Sequence, residues 1–253
     1  MKITFLGTGT SQGIPVIGST HPVCMSDDPK DKRLRVSILV ECETETFVID
    51  CGPDFRTQLL ANPVNHIDGV VFTHEHSDHI AGLDDIRPFY FRQGDVSLYA
   101  EDRVIEALKK RYHYMFVTEN KYPGVPTFDI HQLINKPFNL KQTTITPIQV
   151  YHGKLPVFGY RIHDFAYITD AKTIPDEELK KLEGLDVLVL NALREEPHHS
   201  HLNIEEALEI IKKVKPKKTY FTHISHYMGF HAEVEESLPK NVHLAYDNLT
   251  LEL

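Results

Sequence analysis

The N-terminal half of the chain alternates short apolar runs with polar or glycine-rich breaks. Residues 2–6 alternate polar and apolar side chains and then enter a segment with glycines at positions 7, 9 and 13, which predicts a first strand and a loop. Residues 36–41 and 46–49 are β-rich and separated by four residues, as in a hairpin. The apolar, β-branched run 67–73 predicts a buried strand.

In the rest of the chain, segments with apolar residues at helical spacing alternate with further predicted strands. Helices are predicted at residues 54–61, 79–91, 102–114, 176–182 and 203–214. Further strands are predicted at residues 96–99, 144–150, 159–163, 165–169, 187–191, 219–222 and 243–245. Residues 93–142 are interpreted as an insertion or edge region. No linker or exact repeat divides the chain, so we expect an α/β protein with one domain over residues 1–253, built of two similar halves.

The composition excludes several classes of protein. The chain has 253 residues, of which 41% are hydrophobic and 25% charged, and its net charge is -9. This balance is typical of a globular protein, and no Lys/Arg block offers the basic surface that nucleic-acid binding needs. We expect no membrane association, because no leader pattern and no apolar run of about 20 residues is present. Three cysteines, an odd number, favour a reducing, cytoplasmic location.

Histidine is unusually frequent, with sixteen in the chain. Histidine or aspartate follows several predicted strands, at His74, His152, Asp170 and His223. Ligands of layered α/β proteins collect at strand ends and in the loops that leave them. These four side chains are therefore expected at a common site.

The densest cluster is residues 73–79, Thr-His-Glu-His-Ser-Asp-His, between a buried strand and an amphipathic segment. In an extended loop His74 and His76 point the same way, whereas Asp78 and His79 turn toward a neighbouring point as a helix begins. Two adjacent metal positions follow from this arrangement. Imidazole and carboxylate ligands suit Zn²⁺, Mn²⁺ or Fe.

The His74-x-His76-x-Asp78-His79 pattern resembles the signature of the metallo-β-lactamase superfamily, whose fold is an αββα sandwich of two mixed sheets flanked by helices. Other segments agree in order and spacing: the N-terminal strand with Gly-Thr-Gly-Thr, the turn at residues 49–52, and the later His152, Asp170 and His223. Residues 13–16, 197–203 and 222–226 more narrowly resemble the PhnP-type phosphodiesterases.

This resemblance implies a centre with two divalent ions, Zn²⁺ or Mn²⁺. Carried over by position, His74, His76 and His152 would bind one ion, and Asp78, His79 and His223 the other. Asp170 would bridge the two. Such a pair could acidify a bridging water to hydroxide and clamp the oxygens of a phosphoryl group, so the implied activity is hydrolysis of a small cyclic nucleotide-like or ribose phosphate diester.

The resemblance also implies a histidine that contacts phosphate or donates a proton just before the predicted helix 203–214. His201 matches that position, and His199 is its competitor two residues away. Together with Asp78, these are the candidate catalytic residues. Proton donation to the leaving oxygen could supply roughly 10²- to 10⁴-fold in rate.

The resemblance to PhnP-type proteins also implies a third, structural Zn²⁺. In those proteins it is held by three cysteines after the first glycine-rich loop and by a histidine near the C-terminal end of the chain. The matching positions are Ser19, His21, Cys24 and His226. Ser19 is a poor zinc ligand, so His21, Cys24 and His226 would need water or another neighbour to complete the shell. The alternative is a metal-free loop held by hydrogen bonds.

Two other functions stay open at the level of sequence. The same metals could hydrolyse a lactone or thioester, or the chain could be a metal-binding sensor without catalysis. The expected partner is a small phosphodiester, with no stable nucleic-acid complex, and the sequence predicts no oligomeric state.

Overall fold

Two β-sheets form the centre of the molecule. The structure is a computed structural model that describes residues 1–119 and 121–253, and in these residues fourteen strands form two seven-stranded sheets. The strands of the first sheet are β1 (Lys2–Gly7), β2 (Ser37–Glu41), β3 (Thr46–Ile49), β4 (Gly69–Val71), β5 (Val96–Glu101), β6 (Phe128–Leu133) and β14 (Thr250–Glu252). Those of the second are β7 (Phe138–Leu140), β8 (Thr143–His152), β9 (Leu155–Ile162), β10 (Phe165–Ile168), β11 (Val187–Asn191), β12 (Lys218–Thr222) and β13 (Val242–Leu244).

Each sheet contains both parallel and antiparallel strands. The first has the order β14-β1-β2-β3-β4-β5-β6 and the second β13-β12-β11-β10-β9-β8-β7. β2 and β3 pair antiparallel as the predicted hairpin, and β3 to β6 run parallel. In the second sheet β8 to β10 are antiparallel, whereas β10 to β13 are parallel. The carboxyl ends of parallel strands therefore share an edge in both sheets.

Three layers of apolar side chains hold the sheets and helices together. Strand β10 shows the pattern: Phe165 and Tyr167 face the space between the sheets, and Ala166 and Ile168 face the outer helices. Because successive side chains of a strand point to opposite faces, a strand covered on both faces is apolar throughout. The resulting αββα sandwich confirms the fold class expected from the sequence.

The helices lie mainly on the outer faces. They are α1 (Pro22–Met25), α2 (Phe55–Ala61), α3 (Ser77–Ile80), α4 (Arg87–Gln93), α5 (Asp102–Arg111), α6 (His113–Phe116), α7 (Asp176–Leu179), α8 (Ile204–Val214) and α9 (His231–Ser237). Short 3₁₀ turns occur at Pro29–Asp31, Leu83–Ile86, Lys180–Leu182 and His226–Met228. None of the helices in the described ranges is long and apolar enough to cross a membrane.

Three predicted helices are divided in the structure, and one of them, 176–182, becomes α7 followed by the 3₁₀ turn Lys180–Leu182. The segment 79–91 is not one helix but α3, a 3₁₀ turn and α4, because Gly82 lies against the 50–52 turn where a continuing helix would have to pass. Segment 102–114 ends as α5 and restarts as α6 after Tyr112, whose hydroxyl donates a 3.1 Å hydrogen bond to the Ile80 carbonyl. Tertiary contacts here override helical periodicity.

Three strands were absent from the sequence-based prediction. β14 is three residues long and pairs with β1, and β6 and β7 are edge strands of the two sheets. The interpretation of residues 93–142 as an edge region is thus confirmed for these two strands. A single domain over residues 1–253 stays a prediction.

Candidate metal centre

The predicted ligands lie at one edge of the two sheets. His74 follows β4 in the first sheet, while His152 ends β8, Asp170 follows β10 and His223 follows β12 in the second. The first sheet thus supplies the 74–79 motif, and the second supplies the other three ligands. The structure brings together all seven residues proposed for the two ions.

Asp170 is the centre of this cluster. Its Oδ1 lies 3.4 Å from His79 Nε2, and its Oδ2 lies 3.3 Å from His223 Nε2. Oδ2 also lies 4.0 Å from His74 Nε2 and 3.9 Å from His201 Nδ1. A carboxylate with imidazoles on both oxygens has the arrangement needed to bridge two ions.

Two groups of ligand atoms share Asp170. Asp78, His79, Asp170 and His223 have ligand atoms within 4.8 Å of one another, and so have His152, Asp170 and His201. The first group matches the predicted second ion site. The second group contains His201, whose separation of 31 residues from Asp170 gives no local signal that it lies beside the bridging carboxylate.

The other predicted ion site is more open. The ring centroids of His74, His76 and His152 are 4.5 to 5.8 Å apart. His74 is fully buried, His152 is partly buried and His76 is exposed. Substrate would therefore approach from the side of His76 and His152.

The buried nitrogens of the cluster fit a metal. Within residues 1–119 and 121–253, His74 Nε2, His79 Nε2, His201 Nδ1 and both ring nitrogens of His223 are buried and lack hydrogen-bond partners. A buried polar atom without a partner costs about 1–3 kcal/mol, and so many at one point require an explanation. Coordination of divalent ions by His74 Nε2, His79 Nε2 and His223 Nε2, together with Asp78 and Asp170, would account for three of these nitrogens.

Asp50 orients two of the imidazoles, a role not foreseen from the sequence. Its Oδ2 accepts hydrogen bonds from Thr73 Oγ1 at 2.8 Å and from His79 Nδ1 at 2.7 Å. The Thr73 hydroxyl, having donated to Asp50, accepts from His74 Nδ1 at 3.0 Å. Both histidines thus donate through Nδ1 and turn Nε2 toward Asp170. The available signal was an aspartate directly after a buried strand.

Close backbone contact holds the 50–52 turn against the motif. Cys51 N donates to the His79 carbonyl and Gly82 N donates to the Cys51 carbonyl, each at 2.8 Å. A Cβ on Gly52 would lie 2.0 Å from the Asp78 carbonyl oxygen, so only glycine fits there. Cys51 is fully buried in this turn, which agrees with a structural role.

Three residues of the site have left-handed backbone conformations. The φ angles are +64° at Asp50, +61° at Asp170 and +55° at His223. Non-glycine residues rarely adopt such angles, although Asp and His do so more readily than β-branched residues. Each turn directs a side chain from a strand end into the cluster.

The loop before α8 places its histidines differently. His201 is buried, with its ring centroid 4.5 Å from that of His152 and 4.7 Å from that of His223. His199 is exposed and packs on His198, with ring centroids 4.3 Å apart. The Ser200 carbonyl accepts a 2.9 Å hydrogen bond from His152 Nδ1, leaving Nε2 free as a ligand atom. Of the two candidates, His201 is thus the one that contacts the cluster.

Burial and mutual charge shift the pKa values of the cluster. Burial, aided by the charge on His79, lowers the pKa of His74 well below its usual value. Burial would also lower the pKa of His79, but Asp78, Asp170 and Asp50 outweigh it and raise that pKa well above normal. Burial opposes ionisation of Asp170, yet His223 and His79 hold its pKa well below normal. The Asp170 carboxylate is therefore ionised and suited to bind a cation.

The residues of the predicted third zinc site are close together but have other contacts. His21 Nδ1 accepts a 3.3 Å hydrogen bond from Val23 N, and Cys24 Sγ accepts one of 3.5 Å from Val16 N. The ring centroids of His21 and His226 are 5.0 Å apart, and Ser19 Oγ accepts from His21 N at 3.2 Å. In the described residues, the groups of three or more ligand atoms within 4.8 Å do not include this set. The third zinc stays a prediction.

Comparison with known proteins identifies the family of this fold. The model of the β-lactamase superfamily domain matches residues 45–224. A solved structure of a new diphosphatase from the PhnP family is 39% identical with a TM-score of 0.93, over 100% of this chain and 97% of that one. Zn²⁺-bound PqqB from Methylobacterium extorquens shares the fold, with a TM-score of 0.81 at 18% identity over the whole of both chains.

Curated relatives are longer than this chain. An octanoyltransferase of Porphyromonas gingivalis is 38% identical over 252 residues, which are 98% of this chain and 51% of the relative. A coenzyme PQQ synthesis protein B of Rhodopseudomonas palustris is 29% identical over 140 residues, 50% of this chain and 44% of the relative. The chain thus spans about half the length of these curated relatives. From the family match and the αββα fold around the His/Asp cluster, we conclude that the chain belongs to the metallo-β-lactamase superfamily.

Proposed function

We propose that this protein is a dinuclear metal-dependent hydrolase that cleaves a P–O bond in a small nucleotide-like or ribose phosphate diester. The observation that carries the proposal is Asp170, whose two carboxylate oxygens face imidazole nitrogens of His74, His79, His201 and His223 at 3.3 to 4.0 Å. The similarity to a PhnP-family diphosphatase over nearly the full length of both chains supports a reaction at phosphorus.

Zn²⁺ or Mn²⁺ bound to these residues would lower the pKa of water and stabilise negative charge on the phosphoryl oxygens. Asp78, His79 and His223 would hold one ion, His74, His76 and His152 the other, and Asp170 both. Asp50, Thr73 and the Ser200 carbonyl fix the orientation of three of the imidazoles. His201 is the residue proposed to contact phosphate or to donate the proton to the leaving oxygen.

Surface charge agrees with a small substrate. The chain carries a net charge of -9, so a long polyanion would be repelled outside the immediate cluster. The proposed partner is therefore a small anionic ester, with no stable nucleic-acid complex.

A substrate panel on metal-analysed protein tests this proposal. The panel contains bis-p-nitrophenyl phosphate, a cyclic ribose phosphate diester and a nucleotide with a diphosphate bridge. We expect turnover of at least one member that is lost on chelation and regained with Zn²⁺ or Mn²⁺. Absence of turnover across the panel, with two ions bound, would reject hydrolysis of P–O bonds and favour a sensor without catalysis.

Hydrolysis of an acyl thioester is the second candidate. It is favoured by the octanoyltransferase that aligns with 98% of this chain, although the alignment covers 51% of that relative. An octanoyl thioester and a chromogenic lactone should be included in the same panel. Chelator-sensitive turnover of these compounds alone would replace the phosphodiesterase proposal.

A further inference from the structure

The two spacer residues of the His-x-His-x-Asp-His motif, Glu75 and Ser77, are both held by arginines of helix α5. A guanidinium nitrogen of Arg103, in the first turn of α5, bonds the Glu75 carboxylate. Arg111, in the last turn, donates a 2.8 Å hydrogen bond to Ser77 Oγ. Helix α5 therefore lies along the motif and holds it on both sides of His76.

His76 depends on this support more than the other motif ligands do. His74 and His79 are fully buried, and Thr73 and Asp50 fix their rings. The His76 ring is exposed, and it contacts the rings of His74 and His152. Its position is therefore set chiefly by the backbone of residues 75–77.

Arg103 also bonds the hairpin that carries His152. A second guanidinium nitrogen of Arg103 donates a 2.6 Å hydrogen bond to the Pro156 carbonyl. Pro156 pairs with Tyr151 across β8 and β9, directly beside the pair of Leu155 with His152. One planar guanidinium thus connects the two segments that carry His76 and His152, which come from different sheets.

Charge adds to this connection. The same Arg103 nitrogen that bonds Pro156 lies 3.2 Å from a carboxylate oxygen of Glu101. Burial raises the pKa of Glu101, and Arg103 counters that rise while Glu75 adds to it. Without the guanidinium, Glu75 and Glu101 would repel each other and displace the motif next to His76.

We propose that Arg103 is a positioning residue that sets the distance between His76 and His152 and thereby the affinity of the ion that His74, His76 and His152 hold. This proposal rests on the dinuclear centre described under the proposed function. The ion held by Asp78, His79 and His223 does not depend on Arg103, because Asp50 and the 50–52 turn support that part of the site.

Metal titration of the Arg103→Met variant tests the proposal without any substrate. Co²⁺ is added to metal-free protein, and the two binding steps are followed by calorimetry and by the visible absorption of the ion. We expect one step to weaken about 10- to 100-fold, the range typical of residues that orient ligands, and the other to stay unchanged. Arg103→Lys should recover part of the affinity, because an ammonium can reach Glu75 without also forming the planar contact with Pro156.

Lys109→Met is the matched control. Lys109 lies on the same helix and pairs with Glu106 on the solvent side, so its loss changes the charge by the same amount away from the motif. If Arg103→Met proves unstable, Glu75→Gln removes the same ion pair and should weaken the same step. Wild-type binding of both ions by Arg103→Met or by Glu75→Gln would overturn the proposal, as would equal weakening of both steps. A wild-type protein that binds a single ion would instead overturn the dinuclear function.

Discussion

Asp50 Oδ2 lies 2.7 Å from His79 Nδ1, and both side chains are completely buried. The same oxygen accepts from Thr73, which in turn accepts from His74 Nδ1. One carboxylate thus fixes the ring orientation of one proposed ligand of each of the two proposed ions. The metal centre is held in place by hydrogen bonds as much as by the ligands themselves.

Replacing Asp50 by asparagine should weaken metal binding by about 10- to 100-fold. The new amide group would place N–H donors against the donors of Thr73 or His79, so the rings would lose their orientation. Competition with a zinc chelator measures the affinity. Asp68→Asn is a suitable control, because Asp68 is also a buried carboxylate but accepts hydrogen bonds at the opposite end of β4. Equal affinities in Asp50→Asn and wild type would contradict this role.

Replacing Asp170 by asparagine should weaken both ions together. The expected loss of affinity is at least ~100-fold for each ion, because Asp170 faces both groups of ligand atoms. Residues that only orient ligands typically cost ~100-fold at most when they are replaced. Metal content after dialysis gives the stoichiometry. Asp164→Asn removes an exposed carboxylate from the other end of β10 and should retain two ions. Loss of one ion alone would show that Asp170 does not bridge.

His201 and His199 should differ sharply in their effects on turnover. His201→Ala should lower kcat about 10²- to 10⁴-fold while both ions stay bound, because His201 lies in the cluster and would contact the substrate. His199→Ala should stay close to wild type, because this side chain is exposed. Kinetics and metal analysis on the same samples separate the possibilities. Loss of an ion from His201→Ala would make His201 a ligand rather than a proton donor.

The third zinc can be counted directly. If His21, Cys24 and His226 bind an ion, metal analysis should give three equivalents per chain, falling to two in Cys24→Ala. Two equivalents in both proteins would favour the hydrogen-bonded loop, in which Cys24 accepts from Val16 N.

Acid should destabilise the protein partly through His231, which lies outside the metal centre. His231 is buried, and a guanidinium nitrogen of Arg33 lies 3.1 Å from its Nδ1. Burial and the charge on Arg33 lower the pKa of His231 from 6.5 to about 4. The neutral ring is therefore favoured in the folded state, and its contribution to stability is complete above pH 6.5 and lost as the pH falls to about 4.

Urea unfolding of metal-free wild type and His231→Gln from pH 7.5 to 4 measures this contribution. The stability advantage of wild type should shrink below pH 6.5 by up to about 1.4 kcal/mol per pH unit. A difference between the two proteins that stays constant with pH would contradict a lowered pKa for His231.

Local patterns account for the parts of the site that the sequence predicts. The apolar run before His74 and the strands before Asp170 and His223 identify where these side chains leave the sheets. The carboxyl ends of neighbouring parallel strands lie at the same edge of a sheet. The strand pattern alone therefore predicts that these ligands lie close together. The prediction of one continuous helix over residues 79–91 was wrong, because the packing of Gly82 on the 50–52 turn leaves no signal in the periodicity of apolar residues.

Partners that are distant in sequence account for what was missed. The roles of Asp50 and Arg103 depend on contacts with residues 23 to 53 positions away, and β14 pairs with a strand at the other end of the chain. β14 is only three residues long, too short for a clear periodic pattern. His201 stands out in the sequence as a histidine before a helix. Its position beside Asp170 follows only from the packing of α8 on the sheet that contains β10.

The left-handed backbones of Asp50, Asp170 and His223 restrict which residues the site can tolerate in evolution. Each position must supply both a suitable donor or acceptor and a backbone that accepts a positive φ, a combination that Asp, Asn and His offer more readily than other residues. A longer carboxylate such as Glu would keep the charge but not the same ease of turning at the strand end. A substitution at any of these three positions therefore has to satisfy both the backbone turn and the donor or acceptor at once.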